Sequence, residues 1–107
     1  MDDQNQKIQE IQMLEQNIQN LFLQKQAFQM ELSETQSSLK ELQNSGDEVF
    51  KIIGQLMIKT EKPKMKEDIL NKEKLLNVRM KTIEKQESSL TDQLGKLREE
   101  VMKSIKK

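Results

Sequence analysis

The chain has 107 residues, of which 34% are apolar and 34% are charged, and its 18 basic and 18 acidic side chains leave no net charge. With three Phe, no Trp and no Tyr, there is too little bulk for a compact core, so the apolar side chains must lie along helix seams or against other chains. The absence of Cys and His removes disulfides, thiolate metal sites and the commonest general base, so we expect no enzyme and predict no catalytic residue, metal site or cofactor.

The sequence also predicts no membrane or nucleic-acid partner. No apolar stretch approaches the ~20 residues that span a bilayer, and residues 1–20 lack the basic start and apolar middle of a signal peptide. We therefore expect a cytoplasmic protein. Zero net charge, three Phe and no basic stripe provide neither a phosphate track nor a stacking platform for nucleic acid.

A first helix is predicted over about residues 4–44. Its apolar residues recur at alternating spacings of three and four, which is typical of the a and d positions of a coiled coil. Lys25 and Thr35 are the polar members of this seam, and Asn44, Ser45 and Gly46 indicate the helix end. The seam positions are Ile11, Leu14, Ile18, Leu21, Lys25, Phe28, Leu32, Thr35, Leu39 and Leu42.

A β-hairpin is predicted next, over about residues 48–60. Two runs rich in β-branched residues bracket Gly54-Gln55, a Gly-X pair that suits a two-residue type II′ turn. This turn places Val49, Lys51, Ile53, Leu56, Ile58 and Thr60 on one face and Phe50, Ile52, Met57 and Lys59 on the other.

A lone two-stranded hairpin with two apolar faces and two free edges is marginal in water. We therefore expect this hairpin to pair with strands of other subunits, closing into a barrel or paired sheets. The alternative is that it folds back on its own helices. The predicted oligomerisation residues are Val49, Phe50, Ile52, Ile53, Gly54, Leu56, Met57 and Ile58.

A second helix is predicted over about residues 63–105, with Pro63 in its first turn. Glu73 and Glu87 are the polar members of its seam and are interpreted, like Lys25, as fixing the register of the helix pair at a cost in stability. The seam positions are Ile69, Glu73, Leu76, Met80, Ile83, Glu87, Leu90, Leu94, Leu97 and Val101.

The two helices are predicted to pair antiparallel within one domain, residues 1–107, with both termini at the distal tip. Their lengths match and the connection is short. Residues up to Ser45 carry 3 basic and 7 acidic side chains, whereas residues from Lys64 onward carry 12 basic and 8 acidic ones, and these opposite net charges favour pairing. The predicted fold class is mainly α: a long antiparallel two-helix coiled coil joined by a single β-hairpin.

Three runs of the sequence carry a family resemblance. QKQAFQMELSETQSSLKEL (24–42), VFKIIGQLMIKT (49–60) and LLNVRMKTIEKQE (75–87), with their spacing, resemble archaeal prefoldin beta subunits over most of the chain. Only one hairpin is present, where the alpha class has two. The resemblance implies a hexamer of two alpha and four beta subunits, in which hairpins form a β-barrel platform bearing coiled-coil arms. It also implies an ATP-independent chaperone (holdase) that passes unfolded proteins to a group II chaperonin.

Candidate binding residues lie at the two ends of the chain. Apolar side chains at the tip are predicted to grip unfolded clients, although Ile11, Leu14 and Val101 could simply continue the coiled coil. Lys103, Lys106 and Lys107 could dock on an acidic chaperonin surface or form a solvated tail that caps the helix dipole. A structural or tethering coiled coil without clients is the rival function. The predicted client-binding residues are Ile8, Ile11, Met13, Leu14, Val101, Met102 and Ile105.

Overall fold

The computed structural model of the protein describes residues 2–106, without the side chains of Asp2 and Lys106. It contains helix α1 (Asp2–Asn44), strands β1 (Glu48–Ile53) and β2 (Leu56–Glu61), and helix α2 (Lys62–Lys106). This order confirms the predicted fold of two long helices joined by a single hairpin. Each helix begins one or two residues earlier than the sequence indicated.

The chain divides into two compact units. The hairpin unit comprises residues 28–80 and contains the end of α1, both strands and the start of α2. The terminal unit comprises residues 2–27 and 81–106 of the described chain and pairs the first part of α1 with the last part of α2.

The core of the hairpin unit is small. Leu42, Leu76 and Val49 are its buried apolar side chains, and Thr35 is its buried polar one. The Thr35 hydroxyl donates a hydrogen bond of 2.7 Å to the backbone carbonyl of Glu31, which satisfies a polar group within the seam.

The junction between the helices and the hairpin is held by backbone groups at the end of α1. Ser45 donates to the carbonyl of Leu42 through both its hydroxyl, at 2.8 Å, and its backbone N–H, at 3.2 Å. The Lys62 ammonium donates to the Ser45 carbonyl at 2.9 Å. The last turn of α1 is thus tied to the first residue of α2.

The two strands pair antiparallel in the register that the turn prediction requires. Ile53 lies opposite Leu56 and Val49 opposite Thr60, so the loop is the predicted pair of Gly54 and Gln55. Gly54 has φ of 59°, and it is the one residue of the described chain with positive φ. Positive φ at the first loop residue alone is the mark of a type II′ turn.

The seam of the terminal unit follows the predicted positions. Ile83 and Leu94 are buried, while Ile11, Leu14 and Val101 are half-buried. In both units every predicted seam position is buried or half-buried, whereas nearly all intervening residues are exposed. The spacing of three and four residues therefore identified the contact stripe of both helices.

Candidate assembly and client-binding surfaces

The hairpin presents large apolar side chains on both faces. Phe50, Ile52 and Met57 share one face, and Ile53, Leu56 and Ile58 share the other. All of these six side chains are between 45% and 70% exposed. Burying such side chains is the dominant favourable term in protein association, so the hairpin can act as an adhesive surface.

Val49 differs from the other predicted oligomerisation residues. It is 9% exposed, and Thr60 opposite it is half-buried. Nearby, the Lys51 ammonium lies 3.7 Å from an Asp68 carboxylate oxygen on α2. The base of the hairpin therefore rests on its own unit, while the part toward the turn is open. Folding back onto the helices, the alternative raised from the sequence, applies to the base alone.

The hairpin also offers hydrogen-bonding edges. Within residues 2–106 the sheet has two strands, so each strand has one edge without a strand neighbour. Along an antiparallel ladder, every other residue directs its N–H and C=O away from the partner strand. Such an edge is a template for a further strand.

A groove of about 650 Å³ runs beside β1. Phe50 and Ile52 contribute to it from the strand, and Leu42, Met65 and Ile69 from the helices. Glu41, Glu48 and Lys72 also line the groove, which therefore combines apolar and charged side chains. Its composition suits side chains of a neighbouring polypeptide better than a small polar ligand.

The predicted client-binding residues separate into two groups. Ile8, Met13, Met102 and Ile105 are exposed, whereas Ile11, Leu14 and Val101 are half-buried on the seam. The half-buried group fits the alternative in which these residues continue the coiled coil. The exposed group is left as accessible apolar surface near the two ends of the chain.

Charged pairs accompany these side chains in the terminal unit. Lys7 lies 3.4 Å from Glu100, and Arg98 donates to Glu15 at 2.9 Å. Each pair joins α1 to α2. Lys103 is exposed, while the Lys106 side chain and Lys107 fall outside the part of the chain that is described.

Two polar contacts on the seam were not predicted from the sequence. Lys25 lies between Glu87 and Glu84, and the Arg79 guanidinium lies 6.0 Å from the ring centroid of Phe28. Glu84 and Arg79 sit off the strict seam, so its periodicity did not select them. The signal that could have found Glu84 is its position three residues before Glu87, on the same side of the helix.

Among the described residues, no group of three or more acidic side chains is arranged to hold a metal ion. None of the helices in residues 2–106 is both long and apolar enough to cross a membrane. The apolar side chains that remain exposed on the helices include Phe22, Leu23 and Met30.

The chain is similar in sequence to one family of known proteins. The family model described as "Prefoldin subunit" matches residues 5–107. The prefoldin subunit beta of Thermococcus onnurineus is 32% identical over 94 residues, which cover 86% of this chain and 81% of that protein. The prefoldin subunit beta of Methanothrix thermoacetophila is 32% identical over 104 residues, covering 95% and 86%.

A solved structure agrees with these matches. The crystal structure of the prefoldin beta subunit from Thermococcus strain KS-1 superposes with a TM-score of 0.87 at 29% identity, covering 95% of this chain and 91% of that one. The relatives come from archaea, and the resemblance found in the three sequence runs is confirmed. The chain belongs to the prefoldin family of chaperone subunits, as a member of the beta type.

Proposed function

We propose that this chain is the beta-type subunit of a cytoplasmic, ATP-independent holdase that binds unfolded proteins at the coiled-coil tip and delivers them to a group II chaperonin. The hairpin joins it to alpha-type subunits and to further copies of itself, in a hexamer of two alpha and four beta chains. Family membership supports this composition, and the exposed surfaces described above support the division of labour.

The observation that carries the proposal is the exposure of the hairpin. Burying four of its large apolar side chains at about 1.5 to 3 kcal/mol each contributes about 6 to 12 kcal/mol to assembly before the entropy of association is subtracted. A tethering coiled coil would need the helices but would leave this surface without a purpose. The hairpin is therefore assigned to subunit assembly.

Client binding is assigned to the exposed group at the chain ends. Met13 and Met102 are unbranched and polarizable, and such side chains adapt to partners of many shapes. Helix ends have few packing neighbours, so they open locally at low free-energy cost. These properties suit a protein that must accept many unfolded chains.

The basic end of α2 is assigned to chaperonin docking. Lys103 is exposed, and the sequence continues with Lys106 and Lys107. Exposed charges attract an acidic surface over a range that salt shortens, to about 8 Å at physiological ionic strength. Association with the chaperonin is therefore expected to weaken as salt is raised.

The test of client binding is a triple variant, Met13→Ser, Met102→Ser and Ile105→Ser, assembled with the alpha-type subunit. We expect it to keep its assembly mass and lose suppression of aggregation of a chemically denatured client, measured by light scattering. A matched control carries Gln12→Ser and Gln93→Ser, which change exposed polar residues of the same unit. Undiminished suppression by the triple variant would refute the tip assignment, and no suppression by the parent would favour the tethering role.

A further inference from the structure

A cluster of three charged side chains, called here the polar layer, interrupts the apolar seam of the terminal unit. The Lys25 ammonium lies 3.5 Å from Oε1 of Glu87 and 3.9 Å from Oε1 of Glu84. The Lys25 and Glu87 side chains are only 29% and 21% exposed, because both occupy seam positions. Their nearest seam neighbours along each helix, Leu21 and Phe28 on α1 and Ile83 and Leu90 on α2, are apolar.

Stability alone does not explain this layer. Replacing a buried ion pair by apolar residues of similar volume is often neutral or stabilising, since desolvation offsets the attraction between the charges. The other ion pairs between the helices of this unit, Lys7 with Glu100 and Glu15 with Arg98, are more exposed and lie off the predicted seam positions. Pairs of that kind contribute little energy. Leucines at positions 25 and 87 would give a more continuous seam.

The seam charges differ in sign between the two helices. Among the predicted seam positions, α1 carries the cation Lys25 and no carboxylate, whereas α2 carries the carboxylates of Glu73 and Glu87 and no cation. If α1 paired with α1 of a second chain, Lys25 would be buried without a seam carboxylate. If α2 paired with α2, Glu87 would be buried without a seam cation. Separating a half-buried charge from its partner is unfavourable, because the charge has left water in part and loses the attraction that offsets this cost.

We infer that Lys25, with Glu87 and Glu84, is a pairing-specificity element that keeps α1 bound to α2 and excludes α1–α1 and α2–α2 contacts between chains. Leucine-rich seams lack such a preference, and single polar seam residues are known to set pairing in coiled coils. In the assembly proposed above, several arms share one platform at high effective concentration, so pairing between arms would compete. The competition between arms rests on the proposed function, whereas the preference of α1 for α2 does not.

The experiment uses thiol reporters, because the native chain has no cysteine. Asn17→Cys and Gln24→Cys place two thiols one heptad apart on α1, beside Leu21 and Leu90 at the edge of the seam. An antiparallel α1–α1 pair centred near Leu21 can then bring the thiol at position 17 of one chain next to the thiol at position 24 of another. In a parallel pair these positions lie on opposite sides of the seam, so the reporter detects antiparallel α1–α1 pairing. Disulfide-linked dimers are quantified after mild oxidation of the purified full chain, in the parent and in a Lys25→Leu, Glu87→Leu variant.

We expect the leucine variant to melt at the same or a higher temperature than the parent and to form about tenfold more dimers, because the half-buried, unpaired Lys25 ammonium that opposes α1–α1 pairing is gone. A merely structural layer would instead lower the melting temperature and leave the dimer yield unchanged. That outcome would overturn the inference.

Two control variants test whether the effect depends on opposite charges at the polar layer. One exchanges the signs between the helices, and the other removes a charge pair elsewhere in the unit. Lys25→Glu with Glu84→Lys and Glu87→Lys reverses the layer and keeps opposite signs on the two helices, so dimer yield should remain at the parental level. Glu15→Gln with Arg98→Gln removes an exposed pair of the same unit and should also leave it unchanged. A rise in dimers in either control as large as in the leucine variant would contradict a role specific to the layer.

Discussion

Gly54 is the first residue of the hairpin loop and determines its turn type. Its φ of 59° lies in a region that side chains with a Cβ rarely adopt. An added Cβ would meet no other atom within 4 Å, so the backbone conformation alone opposes substitution there. Gly95 has equally open surroundings but lies within α2, where alanine is the preferred residue.

These two glycines are therefore expected to respond to alanine in opposite directions. Gly54→Ala should lower the free energy of unfolding by about 1 to 2 kcal/mol, because the left-handed conformation strains an L-residue. Gly95→Ala should raise it by up to about 1 kcal/mol, because helix propensity improves. Urea unfolding of both variants beside the parent gives the comparison. Equal shifts in the same direction would show that φ at Gly54 does not govern the turn.

At the scale of single residues, the sequence could predict position along the seam but not charge partners. Lys25 and Glu87 were recognised as polar interruptions because each falls at a seam position of its own helix. That they face each other depends on the axial alignment of α1 and α2, which periodicity leaves open. Glu84 lies off the seam, so its contact with Lys25 follows from that alignment together with its place three residues before Glu87.

At the scale of the element, burial changes abruptly between adjacent residues. Leu75 is 50% exposed and Leu76 is 2% exposed, although both are leucines in the same turn of α2. The difference follows from the helical period, which places Leu76 on the contact stripe and Leu75 beside it. A matched pair of substitutions can therefore separate loss of packing from loss of leucine itself.

We expect Leu76→Ala to lower the free energy of unfolding by about 2 to 5 kcal/mol, because it removes buried contacts and leaves a cavity. Leu75→Ala should change it by less than about 0.5 kcal/mol, since an exposed side chain loses few contacts. Thermal and urea unfolding followed by circular dichroism measure both. Similar losses in the two variants would mean that another chain covers Leu75 under the conditions used.

The hairpin shows where prediction at this scale was limited. Strand pairing and turn type followed from Gly54-Gln55 and the flanking β-branched residues, and the observed register agrees. The burial of Val49 did not follow, because its alternation pattern is the same as that of Ile53 on the same face. What distinguishes Val49 is its place at the base, where Leu42 and Met65 also line the groove.

For the molecule as a whole, two kinds of apolar surface coexist. Seam side chains are buried or half-buried within the chain, whereas apolar side chains of the hairpin, of the chain ends and of off-seam helix positions such as Met30 are exposed. The sequence could predict this division because the seam has a helical period and the hairpin has a period of two. It could not show which chains cover the exposed part, since that depends on partners whose sequences are separate.

Assembly through the hairpin predicts the effect of a charge placed on it. Ile52 is 70% exposed and makes up part of the face with Phe50 and Met57. Ile52→Lys should leave helix content unchanged, because the side chain is not in the core of its own unit. It should abolish assembly, since burying an unpaired ammonium between subunits costs several kcal/mol. Native mass measurement, with and without an alpha-type subunit, reports the result.

Met30→Lys provides the matched control for this variant. Met30 is 67% exposed, nearly as much as Ile52, but it lies on α1 rather than on the hairpin. The Met30→Lys variant should therefore assemble like the parent. If Ile52→Lys assembled normally while Met30→Lys did not, the adhesive surface would lie on the helices, and the platform would have to be built from their outer faces instead of from the strands.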